Sequence, residues 1–338
     1  MTRVLLFVAA VGALGGCGGA HGVVVLGNRS DAAVVNPKGR VLQRIPVAGR
    51  ATGAWELQVP GRHEPCYAVV TGREYRRGGE DAGSVILVDR EGQRLDVLHA
   101  PRRTPFLDGD GRPVLQSIGS GRGLCSPLES GNFTMFLYRG NGAWAPAWLA
   151  VLQPVESGGR VTLKTRASLW NYGTFEPHFV WQAPSLFVTT CNNSLPKQQQ
   201  NIYGRCLVRL DVPAEDALPR EGIGPVYGHG PPPLPTGLVF CLGLPPLRSV
   251  PGETRMFGGT RGLTTGDDGN LIWTVHPPGM ESTLSLSVSQ DGTPLGVYPS
   301  PALETEYTKV KREAEPPFKD WIAGILESAR AHLVRGDR

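Results

Sequence analysis

Short apolar runs separated by glycine, aspartate and proline set the rhythm of this chain from residue 23 to about residue 300. Runs of four to eight residues rich in valine, leucine, tyrosine and tryptophan, bounded by such punctuation, predict β-strands joined by tight turns. The first seven are Val23–Leu26, Ala32–Val35, Val41–Ile45, Trp55–Val59, Tyr67–Thr71, Ser84–Val88 and Arg94–Leu98. Strands are also predicted over 114–118, 133–138, 147–152, 160–165, 179–182, 185–190, 205–210, 237–242, 255–257, 271–275, 283–288 and 294–298. Helical periodicity is absent from this whole stretch.

It begins only near the C-terminus, in "FKDWIAGILESARAHLVRGDR". There Phe318, Trp321, Ile322, Ile325, Leu326, Ala329 and Leu333 recur at helical spacing, and Pro317 stands where a helix start tolerates it. The pattern predicts an amphipathic helix whose apolar stripe needs a cover. That cover is either the β body or a groove on a partner protein, reached through Trp321, Ile325 and Leu326.

Three hairpins repeat one design. "VILVDREGQRLDVL" (85–98), "LTTGDDGNLIWTV" (263–275) and "LSVSQDGTPLGVY" (286–298) each place a polar turn with Asp and Gly between two apolar strands, and 25–45 is a looser copy. So many short antiparallel strands must protect their edges, and closure into a ring of small sheets is one solution. The hairpins resemble the outer strands of β-propeller blades, and "GDDGNLIWTV" resembles the Gly-x-Leu-x-Trp turn of quinoprotein-type propeller repeats. That resemblance implies an all-β propeller of about six or seven blades. Tandem β-sandwiches are the alternative, because Asp-Gly hairpins occur in any antiparallel fold. A ring would be closed by pairing the strand after residue 22 with strands near 285–298.

Composition agrees with the strand reading. With 45 Gly and 30 Pro in 338 residues and only 19% charged residues, the chain lacks the Ala/Glu/Lys/Leu bias of helical bundles. The formal charge of +4 is spread among acidic neighbours rather than gathered into a stripe, which argues against a nucleic-acid partner.

The opening residues follow a different logic. Arg3 precedes the apolar segment Val4–Val11, which is too short to span a bilayer and is followed by small residues. This is the layout of an export signal. Leu14-Gly15-Gly16-Cys17 resembles the lipobox of bacterial lipoproteins, in which the cysteine is acylated and becomes the mature N-terminus. The resemblance implies a signal peptide over 1–16, a lipid-bearing tether over 17–22, a β body over 23–303 and a linker with the helix over 304–338. It also implies attachment to a membrane through palmitate-type chains on Cys17, with Gly18 rather than Asp after it favouring the outer membrane, the body facing either the periplasm or the cell surface.

The other cysteines are Cys66, Cys125, Cys191, Cys206 and Cys241. Cys191 and Cys206 flank a polar loop between two strand-like runs, so a disulfide closing that hairpin is expected, contributing about 3 kcal/mol. No CxxC, HxxxH, HExxH, GxSxG or phosphate-loop signature is present, and "SLPK" (194–197) carries SxxK spacing inside a polar loop. No cofactor is indicated, although Asp108 with Asp110 and Asp267 with Asp268 leave calcium open; both pairs also suit turns. Trp144, Trp148, Trp170, Tyr172, Phe175, Phe179 and Trp181 form an aromatic concentration that either packs between sheets or presents rings to a ligand. The sequence therefore predicts a lipid-anchored, non-catalytic binding or scaffolding platform with a membrane and an envelope protein as partners. The competing expectation is a propeller enzyme: a lactonase, a glycosidase or a quinone-dependent oxidoreductase.

Overall fold

A computed structural model describes residues 22–25, 32–36, 38, 40–45, 51–71, 83–101, 103–107, 110–115, 122–128, 134–139, 146–192, 202–214, 216–224, 238–243, 247–248, 259–276, 282–291 and 294–299. Every regular element among them is a strand, so the protein is all-β over the described residues. Cys17, the segment 1–21 and the helix expected at 318–338, with Trp321, Ile325 and Leu326, lie outside them.

The described residues belong to two compact units, one drawn from 1–106, 113–170 and 212–220, the other from 107–112, 171–211 and 221–338. In the first unit, β1 (Gly22–Val25), β2 (Ala32–Val35) and β3 (Val41–Ile45) form a three-stranded antiparallel sheet. The strand after residue 22 pairs with β2, and β2 is its one strand neighbour among the described residues. Next comes a four-stranded meander of β4 (Ala51–Leu57), β5 (Cys66–Thr71), β6 (Ser84–Val88) and β7 (Arg94–His99). Residues alternate along a strand, so β5 turns Tyr67 and Val69 to one face, where Ile86 and Val88 of β6 join them against Ala32, Val34 and Ile45. The other residues of β5 and β6 are buried as well, which makes these two strands the covered centre of the unit.

A short pair, β8 (Arg103–Leu107) with β9 (Pro113–Leu115), follows, and then β10 (Arg122–Pro127), β11 (Thr134–Arg139), β12 (Pro146–Ser157) and β13 (Arg160–Gln182) in antiparallel order. Between β12 and β13 the chain reverses in two glycines, Gly158 and Gly159, at φ of 59° and 76°. Both sit in the left-handed region that a two-residue hairpin turn demands and that only glycine enters freely.

β13 is 23 residues long, and its C-terminal part belongs to the second unit. There it pairs with β14 (Ser185–Asn192), which pairs with β15 (Ile202–Asp211). β16 (Arg220–Ile223) pairs with β13, while β17 (Leu238–Gly243) and β18 (Leu247–Arg248) pair with β15. A second four-stranded meander, β19 (Thr260–Thr265), β20 (Leu271–Val275), β21 (Leu284–Val288) and β22 (Pro294–Pro299), completes the unit. Its core is Leu271, Trp273, Val275, Leu284, Leu286 and Val288, spaced by two along β20 and β21 as one buried face requires. All three hairpins read from the sequence are present as β6–β7, β19–β20 and β21–β22.

Two buried phenols make the packing visible to pH. Burial, with the Glu56 carboxylate nearby, pushes Tyr67 up to about 12 from 10.0, and burial alone does the same to Tyr172. Folding then keeps protons that the unfolded chain releases, so the stabilisation is complete below about pH 10 and is lost as pH climbs towards about 12. Titrating tyrosinate absorbance should show at least two of the 8 tyrosines, Tyr67 and Tyr172 among them, ionising late, with the thermal midpoint falling across that window. All phenols titrating together near 10 with an unchanged midpoint would contradict the packing.

Candidate functional site

The second unit contains two polar clusters that tie the β13–β15 strands to the β19–β22 meander. In the first, an irregularity in the β13–β14 register between Phe175 and Phe179 interrupts the regular ladder where Glu176 lies. Its carboxylate accepts from Arg205 Nε on β15 at 2.9 Å and from the Thr260 amide at 3.5 Å, with the Thr260 hydroxyl as a third donor. Thr260 Oγ1 in turn accepts from the indole Nε1 of Trp273 at 3.1 Å. Glu176 and Arg205 are only 13% and 16% exposed, so this is a partly desolvated ion pair whose partners depend on each other.

Cys191 stands opposite Arg205 in the β14–β15 register. Burial pushes its thiol up, against the pull of the Arg205 charge. The Glu176 carboxylate is engaged by three donors within the fold, and a thiol held protonated is a poor nucleophile. The cluster braces two sheets.

The second cluster lies where several strands end. Gln182 donates to the Gly269 carbonyl at 2.9 Å and to Thr265 Oγ1 at 3.1 Å, and Gln290 reaches the same carbonyl at 3.4 Å. Arg209 binds Asp211 at 2.6 Å and the Gln290 carbonyl at 2.9 Å, while Ser185 donates to Asp211 at 2.7 Å. Each charged group is again turned towards a structural partner.

The disulfide expected between Cys191 and Cys206 is not formed; both cysteines are reduced, as is Cys66. Cys191 pairs with Arg205 and Cys206 with Thr190, so the two cysteines are one step out of register. Adjacent residues on paired strands point to opposite faces, and the thiols are directed away from each other. The hairpin itself is present. Its stability comes from the β14–β15 ladder and from Cys206 packing in the core rather than from a covalent clasp.

The aromatic concentration resolves largely into packing. Trp148, Trp170, Tyr172 and Phe175 are buried, and the rings of Trp148 and Trp170 lie 6.3 Å apart at 46° within the first unit. Phe179 and Trp181 are half-buried, and Trp144 lies outside the described residues. Asp268 accepts from the Asn270 amide at 3.0 Å and its side-chain amide at 2.7 Å, and these bonds lower its carboxyl below the usual range. It therefore shapes the β19–β20 turn. Asp110 sits 3.7 Å from Arg112, and Asp108 lies outside the described residues. Among the described residues no three of His, Cys, Asp and Glu converge as a metal would need. His99 contacts Ser84 Oγ at 2.6 Å, and His276 Nδ1 accepts from Arg261 at 3.4 Å. Each is a local contact.

Sequence reasoning missed Glu176, Arg205 and Thr260. Glu176 and Thr260 are 84 positions apart, so no local spacing joins them.

No protein-family model matches the chain, and no characterised protein matches its sequence. Solved structures are similar only at a low level, two of them as follows. One is a prolyl endopeptidase, 14% identical with a TM-score of 0.28, matched over 81% of this chain and 38% of that one. The other is a GH43 β1,3-galactosidase solved with galactodeoxynojirimycin, 8% identical with a TM-score of 0.29, matched over 78% of this chain and 84% of that one. The chain spans well under half the length of the endopeptidase. At these scores neither similarity bears on what this chain does.

Proposed function

We propose that this chain is a lipid-anchored protein of the bacterial cell envelope whose β body, on a propeller-like plan, is a non-catalytic binding or scaffolding platform. One observation carries the reading. Leu14-Gly15-Gly16-Cys17 follows a short apolar segment and precedes, by five residues, the glycine that opens β1. An acylated Cys17 would hold the body at a membrane, the outer one by the identity of Gly18. More than one acyl chain is needed for a lasting hold, and the cysteine of such lipoproteins carries two or three.

The two four-stranded meanders support a plan of repeated small sheets. The platform reading is supported by the use of Glu176, Asp211, Arg205 and Arg209 as braces between strands. The partner surface we assign to the apolar stripe of 318–338.

Purifying the acylated protein in mild detergent from its native host, beside a form lacking Phe318–Arg338, tests this. A stoichiometric envelope protein should accompany the intact form and be lost from the shortened one. Retention of every partner by the shortened form would remove the docking role, and turnover of a sugar or lactone by the purified protein would replace the platform with an enzyme.

A further inference from the structure

We propose that the β2–β3 hairpin of the first unit is a contact for anionic phospholipid, seated beside the anchor; this rests on the lipidation of Cys17 proposed above. Three observations point to it. The first is position. Gly22 is paired with Val35, so the turn after Val35 lies at the end of the sheet where the chain from Cys17 enters. Five residues span at most about 18 Å, and the two cross-strand steps from Gly22 to Val35 and on to Val41 add about 5 Å each. Val41 therefore stays within roughly 28 Å of the acylated residue, a confinement that lets a small contact be occupied.

The second observation is chemistry. Lys38, Arg40 and Arg44 are all exposed, and no acidic residue occurs between 32 and 45. Between these cations Val41 and Leu42 are 41% and 49% exposed, the one adjacent pair among the exposed large hydrophobic residues described. Basic side chains flanking exposed apolar ones are what a negatively charged lipid surface recognises.

The third is construction. Asn36 Oδ1 accepts from the amides of Lys38 and Arg40, both at 3.0 Å, and the Asn36 amide donates to the Arg40 carbonyl at 3.0 Å. The register then slips: Val34 faces Gln43 and Val35 faces Val41, which leaves Leu42 as an extra, unpaired residue. That bulge is why two neighbours on one strand are both outside. β3 has β2 as its one strand neighbour among the described residues, so the hairpin also ends a sheet.

The test uses the full acylated protein in vesicles of phosphatidylcholine alone or mixed with phosphatidylglycerol. Hydrogen exchange is followed over 36–45, with β5 as the internal standard for folding. Exchange at 38–44 should slow by roughly fivefold or more in the anionic vesicles, the factor one basic residue near such a surface supplies. Added salt should reverse it. A Lys38→Glu/Arg40→Glu variant should lose the slowing while keeping its acyl mass and its β5 protection. Equal exchange in both lipids by an acylated protein would overturn the hairpin contact and leave the anchor standing. Protection that appears only with a co-purified envelope protein would also overturn it, in favour of strand addition at the β3 edge. A mass without acyl chains would remove the anchor itself, and this proposal with it.

Discussion

Replacing Cys17 with alanine should abolish incorporation of labelled palmitate and move the protein from the detergent phase to the aqueous phase. The thiol is the atom on which the acyl chains would be built, so its loss removes the whole hold at once. Even one acyl chain gives only marginal binding, on the order of 10⁴ M⁻¹, and lasting attachment needs a second signal. The apolar segment Val4–Val11 is a weak substitute, since about 20 apolar residues are needed to cross a bilayer. A Cys17→Ala protein that kept its label, or an unsubstituted protein whose mature form carried no acyl mass, would refute the assigned address. The outcome is close to all-or-none, which makes it the most decisive experiment on this chain.

Truncating Trp273 to alanine should cost about 3–5 kcal/mol, the usual range for a large aromatic removed from a core. Trp273 is fully buried on β20, between Leu263 of β19 and Leu286 of β21 in the strand register. Its indole nitrogen also supplies the donor that fixes Thr260 Oγ1, and Thr260 supports the Glu176 carboxylate. The alanine variant thus loses buried area and loosens a partly desolvated ion pair together. Trp273→Phe separates the two contributions, because it keeps most of the ring and deletes the donor; it should cost nearer 1 kcal/mol. Urea unfolding followed by near-ultraviolet circular dichroism reads both. Equal midpoints for the two variants would mean that the hydrogen-bonded chain to Glu176, and not ring burial, dominates at this position.

The strands that were plain in the sequence have one side clearly apolar or a turn on each flank. Ala32–Val35, Val41–Ile45, Ser84–Val88 and Leu271–Val275 have the same bounds in the structure as in the hydrophobic pattern. β13 shows why others were not. Residues 166–173 are buried on both faces, so alternation disappears, and Asn171, Gly173 and Pro177 read as punctuation although the strand runs through them. The expectation of two separate strands, 160–165 and 179–182, followed from those residues; pairing on β12 and β14 overrides them. The disulfide failed for a related reason. A spacing of 15 between Cys191 and Cys206 says that two strands can meet, but not which of the two registers they adopt, and one step of register reverses the face of every side chain.

By itself the sequence determined the all-β class, the three Asp-Gly hairpins and the Leu14–Cys17 motif, because each is written in neighbouring residues whose backbone preferences and hydrophobic spacing act locally. Only the tertiary structure decided the strand registers, the reduced state of Cys191 and Cys206, the Glu176–Arg205–Thr260–Trp273 brace and the exposure of Val41 with Leu42. Those depend on contacts between segments up to 84 positions apart and on a single-residue slip between strands, and neither leaves a trace in the order of residues along one of them.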